Sequence, residues 1–235
     1  MSMQPKRTCH LFAAALFVLA AAVTSAADDF PGGNTNRQII KIQEKVDALF
    51  DKGDYERAYF ICREELVPIG DKYAQYMVGY MTLVGKGVPR DLITGSAWYR
   101  LAAERGDKAF TQARDELLRQ FDAEKLRQSE HRYFELRREY SDAMIVANLI
   151  EKDLDGLSGN FEASNWARQL NPGQNAGKET ISKENAKTIA RVENFLEYLG
   201  RASNTPDFLT QEESQRITAI QRRATDLLQL YRSQN

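Results

Sequence analysis

The sequence predicts an all-α protein: a short α-solenoid of stacked helical hairpins, followed by a C-terminal helical hairpin. Three observations carry that prediction. Apolar residues recur at steps of three and four nearly throughout 39–154, as in "YERAYFICREEL", where Tyr55, Ala58, Tyr59, Cys62 and Leu66 share one helix face. The tripeptide "GDK" at 70–72 returns at 106–108, an offset of 36 residues that falls in the range of stacked helical repeats. Between the two copies stands a sharp corner, "VGKGVPRD" at 84–91, in otherwise glycine-poor helical sequence.

Glycine and aspartate punctuate the helices. Gly53, Gly70 and Gly106 are each followed by Asp. Glycine tolerates the left-handed backbone that closes one helix, and the Asp side chain accepts from the free N–H groups that open the next. Within one period the order is helix, corner, helix. Gly85 and Gly87 let the chain reverse, Val88 plugs the turn, and Pro89 and Asp91 start the second helix.

Residues 74–110, "AQYMVGYMTLVGKGVPRDLITGSAWYRLAAERGDKAF", resemble the Sel-one-like repeat, a relative of the tetratricopeptide repeat. The matching positions are Ala74, Gly79, Gly85, Gly87, Val88, Asp91, Trp98, Tyr99, Ala102, Ala103, Gly106 and Ala109, in register without a gap. Thr82 stands for the usual tyrosine and Gly95 for the usual alanine. Both are expected to loosen the packing, with Ala97 compensating in part. Residues 40–73, with "KGDYERA", are similar to a degenerate preceding unit. The resemblance implies an α-solenoid for protein interaction, an adaptor or scaffold, with an envelope role in exported bacterial members. It implies no catalytic residue. With Ala74, Val78, Gly79 and Thr82 facing the core, helical geometry puts Tyr76, Tyr80 and Leu83 on the opposite side. There a neighbouring helix covers them, or the solenoid groove displays them to a partner. Trp98 and Tyr99 read as packing between helices.

The flanks complete the organisation. Lys6 and Arg7, the apolar block Leu11 to Val23 and the small residues Thr24 to Ala27 are laid out as a secretory signal peptide. The block is too short to span a bilayer, which takes about 20 residues. The expected layout is a signal peptide at 1–26, cut after Ala26 or Ala27, and a flexible lead-in at 27–38. The repeat solenoid with capping helices follows at 39–155, then a linker at 156–180 rich in Gly and Pro with one short helical piece around Trp166, and an antiparallel helical hairpin at 181–235. Asp122 caps a terminal helix bearing Leu126, Tyr133, Leu136 and Tyr140. In the hairpin, Ile189, Val192, Leu196 and Leu199 form one seam, and Ile217, Ile220, Ala224, Leu227 and Tyr231 another. "TQEE" at 210–213 opens the second helix with a capping box.

Charge and composition narrow the function. Two of the 32 basic residues lie in the leader, so the processed chain carries 30 against 33 acidic, a net of −3. That balance offers no electrostatic footprint for nucleic acid. Processing also leaves Cys62 as the one cysteine, which cannot close an internal disulfide and reads as a buried small hydrophobe. "GLSGN" at 156–160 lacks the last glycine of a nucleophile elbow, and "NPGQNAGKE" at 171–179 lacks both the first glycine and the Ser or Thr of a phosphate loop. His131 is the single histidine after processing, too few for a His-based zinc site, and reads as a surface residue. No cofactor, metal or catalytic residue is assigned. The expected function is that of an exported, periplasmic, non-enzymatic protein that binds protein partners, secretion beyond the envelope being the alternative location. A cell-wall-acting enzyme with an acidic pair is the alternative function. A third reading makes the C-terminal hairpin a self-association module.

Overall fold

The computed structural model describes Phe30 and residues 37–170, 178–203 and 209–233, and among these it is helical with no strand. The expected signal peptide at 1–26 and residues 204–208 lie outside the described residues, as does 171–177, which holds most of the phosphate-loop-like stretch. Helix α1 is Arg37–Asp51. Helix α2, Tyr55–Ile61, continues through one wide turn at Cys62–Leu66 and a tight one at Val67–Ile69. Then come α3 (Lys72–Val84), α4 (Leu92–Ala102, extended by Ala103–Arg105), α5 (Lys108–Leu118) and α6 (Ala123–Tyr140). The C-terminal part is α7 (Asp142–Leu170), α8 (Lys178–Ser203) and α9 (Gln211–Ser233).

The helix ends follow from local chemistry. Gly53, Gly70 and Gly106 have φ of 81°, 79° and 74°, the left-handed values expected of them. Asp71, Asp91, Asp107 and Asp122 each accept from N–H groups in the first turn of the helix they open. Asp54 departs from the pattern: it caps no N–H, and its carboxylate faces Arg57 at 3.2 Å. Thr210 and Glu213 form the capping box in both directions, at 2.7 and 3.2 Å.

Two hairpins, α1/α2 and α3/α4, stack with α5 and α6, which both pack on α4, around one apolar core that runs from Ile39 to Tyr140. No single pair could bury its apolar side alone. A second core joins α7, α8 and α9. Arg191 of α8 meets Asp153 and Asn185 meets Asn160, so α8 runs antiparallel to α7. Arg216, Arg223 and Tyr231 of α9 meet Glu151, Asp155 and Leu157 in order, so α9 runs parallel to α7. The expected antiparallel hairpin of α8 and α9 is therefore two sides of a three-helix bundle.

Two expected boundaries are corrected. Residues 156–170 are not linker: α7 is continuous through Gly156 and Gly159. Leu154 and Leu157 are fully buried against the bundle, and that burial outweighs the helix cost of about 1 kcal/mol per glycine. The lead-in also ends earlier than 38, since α1 starts at Arg37, and Phe30 within it is buried. Its ring meets Tyr198 edge-on at 5.6 Å beneath the Arg105 guanidinium at 4.0 Å.

Candidate interaction surface

The repeat is held by a close crossing of α3 and α4. An added Cβ on Gly79 would lie 2.7 Å from Tyr99 Cδ1 and 3.0 Å from Gly95 O. One on Gly95 would lie 2.6 Å from Leu83 Cγ and 2.9 Å from Gly79 O. The expectation that Gly95 loosens the packing is thus reversed: without a side chain there, the two backbones approach and Leu83 fills the site. Thr82 is likewise well seated, buried with its hydroxyl donating to Val78 O at 2.7 Å.

The corner is pinned to the preceding hairpin. Gly85 and Gly87 have φ of 74° and 73°, and a Cβ on Gly87 would lie 2.4 Å from Tyr55 O. The Gly85 and Lys86 N–H groups both donate to Met81 O, and Asp91 N–H donates to Thr82 O. Val88 is half-buried. Lys86 reaches back over the rings of Phe50 at 4.6 Å, Tyr55 at 4.5 Å and Tyr80 at 6.0 Å, so its ammonium serves as an internal cation on an aromatic cage.

The aromatic face expected to be covered or displayed is covered. Tyr76, Tyr80 and Leu83 retain 5%, 8% and 5% of their surface, which removes them as a partner-binding face. Tyr76 stacks on Tyr99 at 4.8 Å and meets Phe110 of α5 at 5.3 Å, while Phe50 of α1 covers Tyr80 at 5.9 Å. Helices on both flanks enclose α3, and only tertiary geometry reveals this. Ala74, Trp98, Tyr99, Ala102 and Ala103 are buried, as the repeat pattern requires. Ala109 is half-buried.

The exposed aromatics lie elsewhere. Phe60 on α2 is 62% exposed and Phe134 on α6 is 41% exposed. The C-terminal end of α2, continued through Arg63, and the end of α6 meet where Arg63 donates to Tyr140 Oη at 2.6 Å. The Arg63 guanidinium also lies over the rings of Tyr140 at 4.4 Å and Trp98 at 5.4 Å. Phe60 stands three residues before Arg63, on the same side of the helix. Its sequence signal is its position off the apolar stripe of "YERAYFICREEL".

A buried ionic joint connects the repeat to α7. Lys72 Nζ lies 2.9 Å from Glu104 Oε2 and 2.9 Å from Asp142 Oδ1. Arg105 grips the same Asp142 carboxylate at 2.7 and 2.9 Å and donates to Gly70 O at 2.8 Å. Burial works against the charged Asp142, but Lys72 and Arg105 outweigh it and hold its pKa below the ordinary value. For Glu104 burial prevails over Lys72, and the pKa is raised. Glu104 and Asp142 are two carboxylates brought together, both nearly sealed from solvent and sharing Lys72. A second buried pair, Arg137 and Glu213 at 3.0 Å, ties α6 to the start of α9.

The other candidate residues lie on separate elements. Cys62 is fully buried, and burial pushes its thiol pKa far up, which keeps it from acting as a thiolate. His131 is exposed with Glu135 3.4 Å from Nδ1. "GLSGN" lies inside α7, with no strand before it. Among the described residues, no group of His, Cys, Asp and Glu is arranged to hold a metal ion, and no helix is long and apolar enough to cross a membrane.

Residues 72–107 match the family model of the Sel1 repeat. The matched stretch is one structural period, from the first residue of α3 to the cap of α5. No curated protein matches the chain, and no solved structure does.

Proposed function

The chain carries a Sel1 repeat at 72–107, a module that generally mediates protein–protein interaction, and on that premise we propose that it is a non-enzymatic adaptor or scaffold acting in the bacterial envelope. The signal-peptide layout of 1–26 supports export, with the periplasm as the destination. Phe60 carries the binding side of the proposal. A large exposed ring next to the Arg63–Tyr140 contact suits insertion into a partner's apolar pocket. Phe134 extends the same kind of surface on α6.

In-cell cross-linking of the full chain tests this. A Phe60→Asp, Phe134→Asp variant is expected to lose the cross-linked partner while its stability changes by no more than about 0.5 kcal/mol, as befits exposed positions. An unchanged cross-linking pattern from an equally stable variant would contradict the proposed surface.

A further inference from the structure

One face of α9 is left open by the bundle. Ala219, Arg222, Asp226 and Leu230 recur along it at helical spacing. With Arg223, Leu227 and Ser158 of α7 they line a shallow open depression of about 450 Å³. Arg223 is engaged by Asp155 at 2.6 Å. Among the described residues, no ion pair involves Arg222 or Asp226, although they stand one turn apart on the exposed side. Leu230 is 40% exposed beside them.

The pattern is self-complementary. Two antiparallel copies of α9, related by a two-fold axis level with residue 224, set Arg222 of each opposite Asp226 of the other. The same symmetry brings Leu230 of one copy level with residues 218–219 of the other, where the small Ala219 leaves it room, at both ends of the contact. We propose that this face is a self-association surface, and that its occupant is α9 of a second copy of this chain. A strip one helix wide buries less than the roughly 800 Å² per partner of a standard interface. The pair is therefore weak, depends on concentration and is loosened by salt. It forms without any other partner, so its fate is independent of the Phe60 surface.

Sedimentation equilibrium on the purified protein tests the proposal. The weight-average mass is expected to climb from one chain toward two as concentration rises. Arg222→Glu alone and Asp226→Arg alone should each hold it at one chain, because each sets like charges face to face. The double variant R222E/D226R should restore the rise, since the pair is rebuilt with its signs exchanged. Both positions substituted are exposed, and circular dichroism should match the wild type. A single-chain mass at every concentration would overturn the proposal. So would a dimer indifferent to the single reversals, or one that the double variant fails to rescue.

Discussion

Replacing Trp98 by alanine is expected to destabilise the protein by about 3 to 5 kcal/mol. The indole is almost fully buried, its ring 5.2 Å from that of Tyr140, and it lies on the α4 face that crosses Gly79. Removing it opens a cavity between α4 and α6 that the close α3/α4 crossing cannot collapse to fill. It also takes one of two rings from beneath Arg63. Urea unfolding followed by circular dichroism reads the loss. A change under about 1 kcal/mol would place Trp98 at the surface and contradict the register of the whole repeat.

Asp142→Ala is expected to cost a similar amount, about 3 to 5 kcal/mol, by a different mechanism. The substitution leaves Lys72 and Arg105 buried with Glu104 as the remaining carboxylate of the joint. The loss should resist added salt, because the charges are shielded from counterions. The wild type should show the matching pH dependence. Because the folded pKa of Asp142 is depressed, its contribution is fully present above the ordinary value of 3.8 and is lost as pH falls through the lower folded value. The raised pKa of Glu104 acts in the opposite sense: its contribution is present below the ordinary 4.5 and is lost as pH rises through the higher folded value. Acid unfolding measured against pH, wild type beside variant, separates the two. An Asp142→Ala protein as stable as the wild type, with the same acid limb, would mean the joint contributes no net stability.

What could be read in advance was local. A cap needs an Asp and an N–H two or three residues away, and a helix stop needs one glycine, so Gly70, Asp71, Gly106, Asp107 and the Thr210–Glu213 box announced themselves. The corner was legible for the same reason. What escaped depends on distant chain segments. Tyr76 and Tyr80 are buried because α1 and α5 cover them, and no spacing within α3 says so. Gly95 looked like a loss of packing when taken alone and is a close contact once Gly79 and Leu83 face it. Gly156 and Gly159 suggested a linker, but Leu154 and Leu157 between α8 and α9 keep α7 whole. The joint was hidden most thoroughly. Lys72, Glu104, Arg105 and Asp142 look like ordinary surface charges in sequence, and only the meeting of three helix ends buries them together. Phe60 could have been found, since it departs visibly from the apolar stripe of its own helix.

The helices of the repeat stack in this register, and the contact of α4 with α6 tests that most directly. Ser96 and Ser129, 33 residues apart, are both buried with their hydroxyl oxygens 2.8 Å apart. In a chain whose own Cys9 and Cys62 are alanine, a Ser96→Cys, Ser129→Cys pair is expected to form an intramolecular disulfide on mild oxidation of the folded protein, because the two side-chain tips already face each other at hydrogen-bond distance and a small shift closes the S–S bond. Two thiols that stay reduced and react freely with a water-soluble reagent in the folded state would show that α6 does not lie on α4, and would contradict the stacked fold.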